Sequence, residues 1–200
     1  MMLRADITES GRGFKRVAAP GMTRRGVATA CAGAAIVAAW SASVDTDLRW
    51  MAFSCVLGWT LLALGWIDWR TFRLPDVLTL PLLAVGLAAA AIDSQASLIS
   101  GVIGALAGYG ALSAVNAGYR RLRGRDGLGR GDAKLLAAGG AWLGWPALPW
   151  VVLFAALLGL LLAALQRARG ARLTAETALP FGPPLALAIW IVWMYGLPIG

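Results

Sequence analysis

From Leu135 to Gln166 the chain runs without a single charged residue. One bilayer crossing needs only about 20 apolar residues, so this run is too long for one span. Pro146 and Pro149 break it near its middle, which predicts a helical hairpin. Four further uncharged runs are Gly26–Val44, Trp50–Ile67, Leu98–Tyr119 and Pro180–Leu197. Another segment, roughly Leu74 to Ile92, is interrupted only by Asp76, with Pro81 marking a potential kink. Together these predict an all-α polytopic membrane protein with about seven transmembrane helices. Composition agrees: 59% of the 200 residues are hydrophobic and 14% are charged, more apolar surface than a soluble chain of this size can hide.

The charges give an orientation. A net charge of +8 would suggest nucleic acid in a soluble protein, but no basic stripe here is interleaved with aromatics, and no nucleic-acid partner is expected. The basic residues instead fall between the apolar runs. With the N-terminus inside, every Lys and Arg except Arg49 lies on the cytoplasmic side, Lys134 being counted at its boundary. Residues 1–25, with Arg4, Arg12, Lys15, Arg16, Arg24 and Arg25, read as a basic cytoplasmic segment without stable structure. The arginines of the 120–130 loop also suit anionic membrane lipid. Gly26–Val44 reads as an added, uncleaved transmembrane helix, although Arg24-Arg25, an apolar stretch and Ser41-Ala42-Ser43 also resemble a signal peptide. The tryptophans mostly flank the spans, as an interfacial belt would. In the fourth span Gly101, Gly104, Gly108 and Gly110 permit close helix contact.

Elimination narrows the chemistry. The chain has no histidine, which removes Ser-His-Asp and Cys-His catalysis and His-ligated metal sites. Cys31 and Cys55 are isolated within apolar runs and form no CxxC pair; they read as small buried hydrophobes. Carboxylates remain. Asp68 ends an apolar run, at a helix C-terminus where the macrodipole disfavours negative charge. Pairing with Arg70 or Arg73 is the one local benefit in view. Asp132 closes Gly129-Arg130-Gly131-Asp132 and begins a helix, so capping competes with function there. Gly129 and Gly131 would let other backbone, including an extended substrate, come close.

Asp76 follows Leu74-Pro75 and is expected to cap the next helix. Lys134 either pairs with one of the two aspartates or snorkels to the interface. Asp45, Asp47 and Asp93 read as solvated loop residues. The span from Asp132 to Trp145 covers only about 21 Å at 1.5 Å per residue, against a hydrocarbon core about 30 Å thick. Asp132 is therefore expected below the cytoplasmic surface. Two carboxyls held close would share a proton, since adjacent like charges resist double ionisation. That is the requirement for activating water without a metal.

The segment Ile67-Asp68-Trp69-Arg70-Thr71-Phe72-Arg73-Leu74-Pro75-Asp76 through Pro81 resembles the first signature of the type IV prepilin peptidases. Gly127 to Gly144, containing Gly129-Arg130-Gly131-Asp132, resembles their second, GxGD signature. Phe181-Gly182-Pro183-Pro184 is similar to a C-terminal element of that family. The resemblance implies that Asp68 and Asp132 are the catalytic pair, with Gly129, Gly131, Asp76 and Lys134 as candidate substrate-binding or supporting residues. It implies a six-helix GxGD-type bundle, related in architecture to presenilin-like proteases, over residues 50–197. It also implies a bacterial inner-membrane peptidase that cuts the short basic leader of prepilins, or of type II secretion pseudopilins, at the cytoplasmic face. Many relatives carry an N-terminal domain with paired CxxC motifs and also N-methylate the product. Without those cysteines this chain reads as a short form, with no methyltransferase activity, cofactor or metal expected. A carboxylate-relay transporter would favour acids at mid-membrane and internal repeats, which are not found. A non-cleaving pilin-binding scaffold would not need the intact aspartate pair.

Overall fold

The computed structural model describes residues 24–44, 47–124, 129–169 and 180–196. These form α1 (Arg24–Val44), α2 (Leu48–Thr71), α3 (Asp76–Asp93), α4 (Gln95–Arg123), α5 (Arg130–Leu143), α6 (Leu148–Ala168) and α7 (Gly182–Tyr195). No strand occurs among the described residues. Four segments are long and apolar enough to cross a membrane: α2, α3, most of α4, and α6 with the turn before it. Shorter apolar stretches, Ala32–Ser43 and Gly182–Tyr195, lie in α1 and α7. The expected all-helical polytopic membrane architecture is what the chain adopts.

The expected hairpin is present. Gly144 breaks α5 with a φ of 76°, a conformation that only glycine adopts without strain. Pro146 then sits in a 3-10 turn, Trp145–Ala147, and Pro149 in the first turn of α6, where its missing N–H costs nothing. Two connections are shorter than expected. α2 does not stop at Ile67 but continues through Asp68 to Thr71, and Phe72 closes it in the left-handed region at φ 51°. Ser94 alone separates α3 from α4, and its hydroxyl accepts the Ser97 N–H at 3.1 Å as an N-cap. Helices outlast the apolar runs because hydropathy ends at the interface, whereas backbone hydrogen bonding does not.

Small residues set the packing. Gly101, Gly104 and Gly108 of α4 lie against Ala141, Gly140 and Leu136 of α5, in antiparallel order. A methyl group at Gly101 or Gly108 would come within 2.8 or 2.7 Å of a backbone carbonyl oxygen of α5, and at Gly104 it would collide with that of Gly140. Gly110, expected in the same seam, faces open space. α3 runs parallel to α5, where the Trp142 indole donates to the Leu82 carbonyl at 2.8 Å and its ring covers Gly86.

α7 is apolar and largely buried, and packs on α2, α5 and α6. Ile189 fits over Gly139, and Trp190 over Gly58. The Trp193 indole donates to the Ser54 hydroxyl at 2.8 Å. Trp142 and Trp190 belong to the core, whereas Trp59, Trp66, Trp69 and Trp145 are exposed. α1 lies across α2, with the Trp59 indole donating to the Ala34 carbonyl at 3.2 Å and Val37 against Gly58. Cys55 is a free, half-buried thiol, while the Cys31 side chain lies outside the described residues.

These contacts fix relative direction. Asp76 meets Lys134 and Gly86 meets Trp142, so α3 and α5 run the same way. Gly139 meets Ile189 and Trp142 meets Trp193, so α7 joins them. α2 runs opposite to α7, with Gly65 near Pro183 and Gly58 near Trp190. The C-terminal end of α2 and the N-terminal ends of α3, α5 and α7 consequently gather at one end of the bundle.

Candidate active site

At that end two carboxylic acids are withdrawn from solvent. Asp68, in the last turn of α2, is 5% exposed, and Asp132, in the first turn of α5, is 6% exposed. Acids are rarely buried so fully without partners. Asp68 has its partner in α7: Oδ2 accepts the Gly182 N–H at 3.0 Å. Gly182 is the first residue of α7, so its N–H has no acceptor inside its own helix, and the helix start is electropositive. The negative charge that α2 disfavours at its own C-terminus is offset by the N-terminus of another helix. Arg70 does not supply that charge, for its guanidinium lies over the Trp66 ring at 4.4 Å from the centroid.

Asp132 is held differently. Gly129 occupies the N-cap position of α5, and the Asp132 N–H donates to its carbonyl at 3.1 Å. The Asp132 carboxylate in turn takes a backbone hydrogen bond from Gly129. Asp132 is thus the third helical residue reaching back to the cap, as in a capping box, and is not itself the N-cap. A methyl group at Gly129 would lie 3.2 Å from Asp132 Oδ2, which leaves little room there for any other residue. Both acids lie at this end of the bundle, near enough for the charge of Asp68 to act on Asp132.

The remaining candidates fall around this pair. Asp76 is the first helical residue of α3, and Pro75 takes the N-cap position expected of it. Asp76 pairs instead with Lys134, Nζ to Oδ1 at 2.6 Å. Lys134 therefore neither neutralises Asp68 or Asp132 nor simply snorkels. The open approach expected at Gly131 is taken up by the chain itself, because a methyl group there would meet Leu74 Cβ at 2.7 Å. Asp47 caps α2 by accepting the Arg49 N–H at 3.1 Å, and Asp93 accepts from the Ser97 hydroxyl. Asp45 lies outside the described residues.

Gly182 had no role in the sequence reading beyond its place in Phe181-Gly182-Pro183-Pro184. A signal for it existed: prolines at the second and third helical positions mark a helix start, and a helix start carries unpaired N–H groups. What the sequence did not disclose was that this start faces Asp68. Among the described residues no group of three or more His, Cys, Asp or Glu side chains is placed to hold a metal ion. Two buried carboxyls, each with one backbone donor, can between them accept a proton from water and give one to a carbonyl oxygen.

Over residues 55–164 the chain matches the type IV leader peptidase family. It is 49% identical over 138 residues to the prepilin leader peptidase/N-methyltransferase of Burkholderia pseudomallei (strain K96243), covering 69% of this chain and 44% of that one. To the protein of the same name from Dichelobacter nodosus it is 43% identical over 150 residues, covering 75% and 51%. To that from Pseudomonas aeruginosa it is 44% identical over 142 residues, covering 70% and 48%. The chain spans about half the length of the curated relatives it matches. No solved structure is matched.

Proposed function

The chain belongs to the type IV leader peptidase family, and we propose that it is an intramembrane aspartic endopeptidase that removes the leader from prepilins or type II secretion pseudopilins. The observation that carries this reading is that Asp68 and Asp132, from different helices, are both buried at one end of the bundle, near enough for the charge of one to act on the other. The relatives' shared name supports the substrate class.

In the proposed reaction the two carboxyls hold one proton between them. The ionised member takes a proton from a water molecule as the water oxygen bonds to the scissile carbonyl carbon. The other member gives its proton to the carbonyl oxygen. As the resulting gem-diol collapses and the C–N bond breaks, the proton first taken from water passes to the leaving amine, and one hydroxyl proton of the gem-diol returns to the carboxylate that had protonated the carbonyl oxygen. Each step returns its proton, so the pair ends as it began. Burial serves the chemistry by keeping bulk water from screening these interactions.

The site faces the cytoplasm in this proposal, because the distribution of Lys and Arg puts its end of the bundle inside. The membrane is the bacterial inner membrane. Residues 50–197 form the peptidase domain, α1 is an added helix, and residues 1–25 form a basic cytoplasmic segment.

The test is purified protein in proteoliposomes incubated with a full-length prepilin, and mass analysis of both products. Cleavage at one bond between the basic leader and the apolar helix is expected. An intact substrate, across a panel of prepilins and pseudopilins, would reject the reading.

A further inference from the structure

Gly182 stands outside the 55–164 region matched to the family, yet it lies directly against the Asp68 carboxylate. Two observations bear on it. Its N–H donates to Asp68 Oδ2 at 3.0 Å. A methyl group on its Cα would stand 2.5 Å from Oδ2, 2.8 Å from the carboxyl carbon and 3.0 Å from Cβ of the same aspartate. The φ of Gly182 is not in the left-handed region, so backbone freedom does not explain the glycine. Space does: only a residue without a side chain lets α7 approach near enough for its first N–H to reach the carboxylate.

We infer that Gly182 is a positioning residue of the peptidase, whose backbone N–H and missing side chain together set the orientation of the Asp68 carboxylate toward Asp132. The inference rests on the proposed dyad. Asp68 sits on α2 and Asp132 on α5, and α7 packs against both, with Ala186 near Gly65 of α2 and Ile189 against Gly139 of α5. Pro183 and Pro184 fix the first turn of α7, so the donor at Gly182 is held by a rigid element. A rotatable carboxylate gains a fixed direction from such a donor. A carboxylate displaced by about 1 Å is expected to lose about 10²-fold in rate.

The experiment has two arms, both on the full chain in detergent or proteoliposomes. In the first, Gly182→Ala is compared with wild type for prepilin cleavage. The expected result is a kcat lower by about 10²-fold with KM little changed, the signature of a group needed only in the transition state. An unchanged kcat, or a loss carried by KM alone, would overturn the inference. In the second arm, thermal stability is measured for Gly182→Ala, Asp68→Ala and the double variant. Gly182→Ala should lower the melting temperature in the wild-type background, and most of that loss should vanish when Asp68 is already alanine. Equal losses in both backgrounds would show that the glycine does not answer to Asp68, and would overturn the inference. The second arm needs no substrate. Coupling between the two residues with no cleavage by wild type would reject the peptidase reading while keeping the contact; cleavage by wild type without coupling would do the reverse.

Discussion

An ion pair of 2.6 Å joins Lys134, the fifth residue of α5 and two beyond Asp132, to Asp76, the first residue of α3. Both side chains remain partly open to solvent, so the pair contributes little to overall stability, about 1 kcal/mol or less. Its expected consequence is local, on the angle at which the Asp132 turn meets the neighbouring helix.

Lys134→Met is therefore expected to leave the melting temperature almost unchanged while slowing prepilin cleavage by roughly tenfold. Asp76→Asn should do the same, and the double variant should be no slower than either single one. Rates that multiply in the double variant would show that the two residues act separately.

The seam between α4 and α5 gives a sharper contrast between glycines of one helix. Gly104→Val places a branched side chain against the backbone of Gly140, where even one methyl group does not fit. Overpacking of this kind costs about 1–3 kcal/mol or more, and the variant should not accumulate as a monodisperse protein. Gly110→Ala meets open space and should change stability by no more than about 0.5 kcal/mol. Size-exclusion profiles and melting curves of the two variants decide the matter.

Trp142 combines bulk with a directed hydrogen bond to the Leu82 carbonyl. Trp142→Phe should lose about 1 kcal/mol, the net worth of that bond. Trp142→Ala should lose about 3–5 kcal/mol by leaving a cavity beside Gly86 and Trp193. A denaturation series in mixed micelles reads both values, and equal losses would contradict the division.

The contrast between Gly104 and Gly110 also shows where sequence reading reaches and where it stops. Hydropathy located the helices, since apolar runs of bilayer length have few other solutions in lipid. It misjudged the ends, as at Asp68, because a helix keeps its hydrogen bonds after the apolar run has finished. Four glycines in α4 looked alike; which three meet α5 depends on helix rotation, and that is a tertiary property. Asp68 and Asp132 stood out because acids at the ends of apolar spans are costly. Their partners did not stand out. Gly182 is more than a hundred residues from Asp68, Leu74 is remote from Gly131, and Lys134 chose Asp76 over the nearer Asp132. Such pairings come from how α3, α5 and α7 align, and a single sequence carries no direct record of that alignment.

The most direct test of the account is cleavage of a full-length prepilin by Asp68→Asn and Asp132→Asn enzymes, each shown by its melting curve to be folded. Asparagine keeps the shape of the side chain and removes its capacity to carry the proton. The account predicts that wild type releases the leader and that neither variant does. Release of the leader at the wild-type rate by either folded variant would contradict it.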